Sequence, residues 1–257
     1  MAELVLSPSS VAAYESCSYR WYLQYIEMHE GVTSVKSAVG VGVHTGGEHW
    51  LKTAIPNVDP ISREDLLAES IEAAETAYLL ELSNTVEDDE NPVQMRAVVG
   101  RVLTVYIEDV LEPLLPTLLG AEQPFRIVVD GVPFSGHIDV DQDGVVRDTK
   151  VVGQRPRYPE KYLFGMTGYA MGSEVMHGVP ARRVLDVMIR LKRDRPRWEP
   201  IDFGDVTARE RDDFARRLVE TANQIAKGVF EPTGLATGEC RFCPVRFDCE
   251  PYMEANS

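Results

Sequence analysis

The stretch VPFSGHIDVDQDGVVRDTKV, residues 132–151, decides the fold of this chain. Two runs of alternating apolar and polar residues flank the dipeptide Asp143-Gly144, which is typical of a two-residue hairpin turn. Such a turn pairs residue 142 with residue 145 and thereby fixes every pair further along the two strands. The sequence therefore predicts an antiparallel hairpin with a defined register.

This register brings three ionisable side chains together. Counting outward from the turn places Asp139 opposite Asp148, with their Cβ atoms about 4.5–5.5 Å apart. Lys150 lies two residues beyond Asp148 and points to the same side of the strand. Opposed carboxylates repel unless a cation lies between them, and their oxygens suit Mg²⁺ or Mn²⁺. A lysine beside such an ion can orient or deprotonate a water or offset charge on a phosphate. A surface hairpin with scattered charges is the alternative.

Helical and strand patterns around the hairpin predict an α/β fold. Ser7-Pro8 marks the start of an aromatic-rich helix, because serine caps helices and proline suits their first position. Glycines around His44 indicate a flexible or tightly packed stretch. The patterns predict helices over 62–82, 92–112, 159–177 and 207–228, and strands over 125–130, 132–140, 145–151 and 183–191.

Composition limits the class of protein. The 257 residues carry a formal net charge of −15, with 44% hydrophobic and 26% charged residues. These values exclude a disordered chain, a collagen, a disulfide-dense miniprotein and a surface that binds nucleic acid all over. No apolar run reaches about 18 residues and no secretory signal is visible, so we expect no membrane span and a cytoplasmic protein.

Charge is unevenly distributed along the chain. Residues 62–112 contain 13 acidic and 3 basic side chains, a net of −10, whereas residues 145–197 contain 12 basic and 5 acidic side chains, a net of +7. We expect the basic segment, including Arg155, Arg157 and Arg193, to contact single-stranded DNA or a frayed end. Ordinary solubilising charge is the alternative. The acidic segment is interpreted as a solvated face, a partner-binding surface or a wall that excludes DNA.

The cysteines suggest a metal centre. Cys240, Cys243 and Cys249 cluster near the end of the sequence, and Cys17 lies far upstream. Four thiols in a reducing compartment suit a tetrahedral zinc or a cubane iron–sulfur cluster, which would fasten the two ends of the chain together. Free thiols, or disulfides in an exported protein, are the alternatives.

Together these motifs resemble the PD-(D/E)XK nuclease superfamily, in which an aspartate ends one strand and acid-x-Lys follows on the next. Asp139 and Asp148-Thr149-Lys150 match these two elements. The cysteine pattern is similar to that of RecB-like exonucleases with an iron–sulfur cluster, which include the CRISPR-associated RecB-like nuclease and the nuclease domain of AddB. Residues 6–22 and 40–48 resemble the opening and the Gly-x-x-x-His helix of that group.

The resemblance implies an α/β fold with a restriction-endonuclease-like core, in which helices flank a mixed central sheet, plus a helical N-terminal region and a C-terminal iron–sulfur staple. It implies one nuclease domain over residues 1–257. This domain would comprise a mainly helical part at 1–120, a catalytic core at 121–230 and a cysteine-rich tail at 231–257.

The resemblance also implies roles for individual residues. The implied ligands of Mg²⁺ or Mn²⁺ are His44, Asp139, Asp148 and the backbone carbonyl of Thr149. Lys150 would be the catalytic lysine, acting with Asp148 and Asp139. The implied ligands of a 4Fe–4S cluster are Cys17, Cys240, Cys243 and Cys249. A core or surface role for His44 is the alternative, a supporting role for Glu48 one turn later is open, and so is any role for His137.

The implied activity is metal-dependent exonucleolytic hydrolysis of DNA at single-stranded or frayed ends. The implied setting is recombination, repair or CRISPR spacer processing in a bacterium, an archaeon or a phage-infected host, within a complex of other recombination or CRISPR adaptation proteins.

One position departs from the family pattern. The family carries a Gln four residues before a Tyr on the helix after acid-x-Lys, where the pair helps to position nucleic acid or the lysine. Tyr169 matches the Tyr and is a candidate DNA contact, but Gly165 occupies the Gln position. This departure favours a second interpretation, a non-catalytic nuclease-like module that binds DNA or a partner. A zinc-stapled DNA-binding protein is a third.

Overall fold

A computed structural model describes residues 4–54, 61–85 and 90–255. The chain divides into two compact units. The first, called here the terminal unit, comprises Met1–Val32, Arg126–Gly136 and Thr207–Ser257, and the second, called the sheet unit, comprises Thr33–Phe125 and His137–Val206.

A five-stranded sheet has the strand order β1-β2-β3-β4-β5. The strands are β1 Leu118–Val129, β2 Val132–Gln142, β3 Val145–Val152, β4 Arg182–Ile189 and β5 Arg197–Asp205. Strands β2 and β3 are antiparallel, β3 and β4 are parallel, and β4 and β5 are antiparallel. The mixed sheet agrees with the predicted α/β class.

The predicted hairpin register is confirmed. Gln142 pairs with Val145 and Val140 pairs with Arg147, and the same register extended by one residue places Asp139 opposite Asp148. Gly144 takes a φ of 72°, a left-handed conformation that glycine adopts without steric cost. The turn sequence therefore sets the positions of both aspartates.

A helical crossover joins the parallel strands β3 and β4, as parallel pairing requires. It begins as a 3₁₀ turn over Pro159–Tyr162 and continues as the α-helix Leu163–His177, called α7 below. Gly178 ends this helix with a φ of 76°. The predicted helix over 159–177 is thus correct except for the geometry of its first turn.

Strand β5 was not predicted. Its sequence contains Pro200, and proline is disfavoured in a strand because it cannot donate a ladder hydrogen bond. Among the described strands β5 lies at the edge of the sheet, and proline is tolerated on an edge strand.

Helices of the sheet unit pack together and against the sheet. They are α3 Val35–Ala54, α4 Arg63–Leu82, α5 Pro92–Tyr106 and the one-turn α6 Glu112–Leu114. Their core includes Val140 and Met188 from the sheet. The prediction of one helix over 92–112 is wrong in part, because a π-helix over Ile107–Leu111 interrupts the α-helical pattern after Tyr106.

The glycines around His44 allow close helix packing. A Cβ atom at Gly42 would lie 2.7 Å from the carbonyl oxygen of Ala74, and one at Gly46 would lie 2.8 Å from that of Ser70. Helix α3 therefore approaches α4 more closely than side-chain-bearing residues would permit. This contact fixes the helix that carries His44.

The terminal unit contains helices from both ends of the chain. They are α1 Pro8–Ser16, α2 Ser18–Tyr25, α8 Ala208–Ala226, α9 Gly234–Thr237 and α10 Glu250–Ala255. Ser7 caps α1 as predicted, but Cys17 adopts an extended conformation that separates α1 from α2. Phe134 and Phe214 contact edge to face in this unit, with centroids 5.1 Å apart. Within the described part of the chain, no helix is both long and apolar enough to span a bilayer.

Candidate metal and catalytic site

Three residues predicted as metal ligands meet in the sheet unit. His44 on α3 places its Nδ1 3.4 Å from Oδ2 of Asp139 on β2. Its Nε2 lies 2.9 Å from the carbonyl oxygen of Thr149 on β3. The Thr149 amide donates to Oδ2 of Asp139 at 2.8 Å. Ligand atoms that share one octahedral Mg²⁺ lie about 3 Å apart, so Nδ1 of His44 and Oδ2 of Asp139 are close to the spacing of two ligands of one ion. The Thr149 carbonyl lies against the other ring nitrogen of His44.

Glu122 joins this group and was not predicted. His44, Glu122 and Asp139 each offer a ligand atom, and these three atoms lie within 4.8 Å of one another. Burial and then the carboxylate of Asp139 raise the pKa of Glu122 to about 7. Its φ of 49° is unusual for a residue other than glycine. Burial and the neighbouring acid thus outweigh the opposing effects of His44 and Lys52 on the pKa of Glu122.

Glu122 escaped the sequence analysis because the first strand begins earlier than predicted. The alternating pattern indicated a strand from residue 125, whereas β1 begins at Leu118. The proline at 124 interrupts the pattern and hides the first half of the strand. The sequence did contain one signal for Glu122. It is an acidic residue just before the predicted strand over 125–130, which neighbours the strand that bears Asp139.

Asp148, which is buried, and Lys150, which is half-buried, form an ion pair at 2.6 Å. Burial, and to a smaller extent Asp139, raises the pKa of Asp148, while Lys150 opposes that shift. Burial acts to lower the pKa of Lys150, but the carboxylates of Asp148 and Asp139 together outweigh it, and the net direction is upward. Lys150 is therefore a stable ammonium group in this arrangement, suited to offset negative charge rather than to accept a proton.

Tyr169 on α7 lies within electrostatic reach of these acids. Burial raises the pKa of its hydroxyl, and Asp148, Asp139 and Glu122 raise it further. Its ring contacts Phe125 edge to face, with centroids 6.1 Å apart. The hydroxyl is therefore a neutral donor beside the carboxylates. Gly165, one helical turn earlier, contributes no side chain to this side of α7.

Buried hydrogen bonds hold the strand that carries the acid-x-Lys element. The Tyr106 hydroxyl lies 2.7 Å from Oγ1 of Thr149. Arg147 contacts both carboxylate oxygens of Asp186, at 2.9 and 3.0 Å, and Nε1 of Trp198 donates to Asp186 at 2.8 Å. These contacts fix the side chains that alternate with Asp148 and Lys150 along β3.

Two residues left open by the sequence have other partners. Glu48 forms an ion pair with Lys52 on the same helix, and both charges act on the pKa of Glu122. His137 is exposed on β2. The described contacts give neither residue a direct role beside His44.

Much of the basic segment pairs with carboxylates. Lys192 lies 2.6 Å from Glu90, and Arg195 lies 3.0 Å from Asp109. The acidic segment therefore supplies partners to the basic one.

The three arginines predicted to contact DNA differ in their surroundings. Arg155 lies 3.2 Å from Glu199, whereas Arg157 lies over the Tyr158 ring at 5.4 Å from its centroid. Arg193 is exposed. Among the described residues, Arg157 and Arg193 contact no carboxylate. These two arginines thus keep an unneutralised charge.

The four cysteines line a single pocket in the terminal unit, and all are free thiols. Burial raises the pKa of Cys240, Cys243 and Cys249. Within the described residues, no three of their sulfur atoms lie within 4.8 Å of one another. The four thiols thus line one pocket, but no three of their sulfur atoms form a compact group among the described residues.

Comparisons with known proteins agree with this geometry. The family model of the PD-(D/E)XK nuclease superfamily matches residues 5–250. A crystal structure from Eubacterium rectale, described as a "putative exonuclease", superposes with a TM-score of 0.59 at 12% identity, covering 97% of this chain and 87% of that one. At this identity the likeness concerns the fold alone.

A second solved structure, described as SSO0001, is 15% identical to this chain and superposes with a TM-score of 0.40. The superposition covers 80% of this chain and 94% of that one. No curated protein matches the sequence. The match of the family model extends over both units and includes the strands that bear Asp139, Asp148 and Lys150. This chain therefore belongs to the PD-(D/E)XK nuclease superfamily.

Proposed function

We propose that this protein is a metal-dependent DNA exonuclease that hydrolyses phosphodiester bonds at single-stranded or frayed ends. The observation that carries the proposal is the convergence of His44, Glu122 and Asp139, next to a strand that bears the Asp148–Lys150 ion pair. Superfamily membership makes a nucleic acid the expected substrate.

The donor set fits a hard divalent cation. One imidazole nitrogen, carboxylate oxygens and the Thr149 carbonyl are ligands typical of Mg²⁺ or Mn²⁺. The raised pKa of Glu122 fits the same conclusion, since burial and the nearby Asp139 carboxylate disfavour ionisation of that carboxyl. His44, Glu122, Asp139 and the Thr149 carbonyl would hold the ion, and Asp148, which Lys150 contacts, would be a further ligand. Such an ion supplies Lewis-acid stabilisation of a phosphoryl group and makes water more acidic.

The chain's own groups supply the remaining chemistry. Lys150 keeps its proton because two carboxylates raise its pKa, and its ammonium can offset charge that develops on a phosphate. Tyr169 keeps its hydroxyl proton and can donate it to a phosphate or a water. Asp148 holds the ammonium at 2.6 Å and so orients it.

The preference for DNA ends and the biological setting are the finer part of the proposal. The description of the Eubacterium rectale neighbour as an exonuclease supports attack at ends. The unneutralised charges of Arg157 and Arg193 support contact with a DNA backbone. Recombination, repair and CRISPR spacer processing all need such an activity, and we propose that the protein works there with other proteins of the pathway.

A 4Fe–4S cluster held by Cys17, Cys240, Cys243 and Cys249 is a further part of the proposal. The supporting observation is that all four thiols line one pocket. A tetrahedral zinc site holds its sulfurs about 3.8 Å apart, given a Zn–S bond near 2.3 Å. A cubane holds them further apart, because each thiolate binds a different iron. We propose the cubane because the cysteine pattern resembles that of RecB-like exonucleases with an iron–sulfur cluster.

A nuclease assay tests the proposal. Single- and double-stranded DNA labelled at the 5′ or 3′ end is incubated with wild type, Asp148→Ala, Lys150→Ala and the control Lys227→Ala, whose side chain is exposed on the terminal unit. We expect Mg²⁺- or Mn²⁺-dependent shortening from an end by wild type and Lys227→Ala and none by the other two. A wild type that binds DNA but cuts nothing would instead support the accessory module that Gly165 favours. Cleavage by both site variants at the wild-type rate would show that the site is wrong.

A further inference from the structure

Asp141 is a buried carboxylate that the catalytic chemistry does not use. It lies on β2 two residues beyond Asp139 and has no exposed surface. Its Oδ1 accepts a hydrogen bond from Oγ of Ser173 at 3.0 Å, and its Oδ2 lies 2.9 Å from Nε2 of His177. An ionised carboxylate accepts hydrogen bonds but cannot donate them. The hydrogen bond with an ionised Asp141 therefore requires that Nε2 of His177 carry the proton. Burial of a carboxylate is unfavourable unless such donors satisfy it.

Both donors come from α7, the helix that carries Tyr169. Tyr169, Ser173 and His177 follow one another at intervals of four residues and therefore share one face of that helix. Asp139 and Asp141 are two residues apart on β2 and therefore share one side of the strand. One face of α7 and one side of β2 therefore carry two sets of residues. Tyr169 and Asp139 form the first set, and Ser173, His177 and Asp141 form the second.

We propose that Asp141 is a positioning residue that fixes the rotation of α7 on β2 and thereby places the Tyr169 hydroxyl beside Asp139 and Asp148. Two hydrogen bonds from successive turns restrain both the rotation and the axial position of the helix on β2, in addition to its packing and to the Thr167 contact with Arg183 on β4. Gly165 contributes no side chain at the other end of this face, so the described polar anchors of α7 on β2 lie in its C-terminal half. The inference rests on the proposed function, because Tyr169 is assigned its role there.

A double-mutant cycle separates positioning from simple stabilisation. Ser173→Ala combined with His177→Ala removes both donors while leaving Asp141 and the catalytic groups in place. We expect this change to lower kcat/KM for DNA cleavage by about tenfold when Tyr169 is present, since small misplacements of a reacting group are costly. In a Tyr169→Phe background we expect less than about a twofold effect, because coupled residues are not additive.

Two further variants sharpen the cycle. His177→Gln retains a donor near the position of Nε2 and should recover most of the rate lost by His177→Ala. Val175→Ala changes an exposed side chain on the same helix and should match wild type. Equal losses in the presence and absence of the Tyr169 hydroxyl would overturn the proposal, because a residue that only stabilises the fold acts independently of that hydroxyl.

Hydrogen exchange provides a readout that does not depend on cleavage. Amide exchange across Leu163–His177 should speed up in the Ser173→Ala/His177→Ala variant and stay at the wild-type rate in Val175→Ala. If wild type cuts no DNA, the proposed function fails, and exchange alone then decides whether Asp141 anchors α7. Unchanged exchange in the double variant would overturn the anchoring itself.

Discussion

The two donor clusters of this chain differ in their chemistry and in the elements that carry them. The nitrogen and oxygen donors of the sheet unit lie on regular elements, with His44 on a 20-residue helix and Asp139 and Thr149 on neighbouring strands. The thiols of the terminal unit lie on short or interrupted segments, such as the break between α1 and α2 at Cys17 and the 3₁₀ turn at Cys240.

This difference predicts two different relations between a bound group and the fold. Long helices and paired strands hold the oxygen donors at ligand spacing through hydrogen bonds of their own, so that site is preorganised. A four-residue turn has little structure without a partner, so we expect the thiols to depend on the group they bind. Loss of the metal ion from the oxygen donors should abolish DNA cleavage. Loss of the group bound by the thiols should lower the stability of the fold.

Asp139→Asn should have the largest effect. The change removes a charge shared by His44, the Thr149 amide and the bound ion, so cleavage should fall by about 10³-fold, as expected for the loss of several kcal/mol of metal assistance. Asp143→Asn, at the exposed turn of the same hairpin, should cut like wild type. Single-turnover rates on end-labelled DNA measure both. Equal cleavage rates for the two variants would contradict the assignment of Asp139 to the catalytic site.

Cys243→Ser should act on stability instead. We expect the variant to lose iron and visible absorption and its melting temperature to fall by about 10 °C, the scale of losing several kcal/mol of metal-coupled folding. Metal analysis, absorption spectra and thermal melts of anaerobically prepared protein measure this. A colourless wild type containing zinc would contradict the iron–sulfur proposal, and an unchanged melting temperature would contradict the predicted contrast between the two clusters.

Tyr106→Phe should have a moderate effect. The substitution leaves the buried Thr149 hydroxyl without its partner at 2.7 Å and should lower the free energy of unfolding by about 1–2 kcal/mol. Urea denaturation measures the loss. Tyr158→Phe, with a 66% exposed side chain, should change stability by less than about 0.5 kcal/mol. Equal stability of the two variants would show that the Tyr106 contact does not support the site.

Arg193→Ala should have the smallest effect. Among the described residues this exposed arginine has no carboxylate partner, so it is free to contact a phosphate. The affinity for single-stranded DNA should therefore fall about threefold, and the slope of log affinity against log salt concentration should decrease by about one. Arg195→Ala should weaken binding less, because Asp109 already neutralises that side chain. Fluorescence anisotropy at several salt concentrations compares the two. A larger loss for Arg195 would reverse the assignment of the DNA-contacting charges.

The sequence predicted the parts of the site that depend on local rules. The Asp143-Gly144 turn fixed the register, and the register placed Asp139 opposite Asp148 before any tertiary contact was known. The glycines near His44 indicated tight packing, and Gly42 and Gly46 lie where α3 meets α4. These predictions held because turn geometry and steric size act within a few residues.

The remaining parts depend on contacts distant in sequence. Glu122 lies in a strand half hidden by Pro124, and its carboxyl reaches the site only because β1 pairs within the sheet. Tyr106 precedes a π-helix that hydrophobic periodicity does not reveal. Arg195 pairs with Asp109, so it joins a basic segment that predicted DNA contact to an acidic segment interpreted as a solvated face, a partner-binding surface or a wall that excludes DNA.

Binding of Mn²⁺ to the purified protein tests the central claim most directly, since the claim is that His44, Glu122 and Asp139 form one site for a divalent ion. An electron paramagnetic resonance titration of free Mn²⁺ compares wild type with Glu122→Gln and with Glu64→Gln, an exposed glutamate at the start of α4. The account predicts saturable binding to wild type and Glu64→Gln, and at least tenfold weaker binding to Glu122→Gln. Equal affinity for all three proteins, or no binding to wild type, would contradict it.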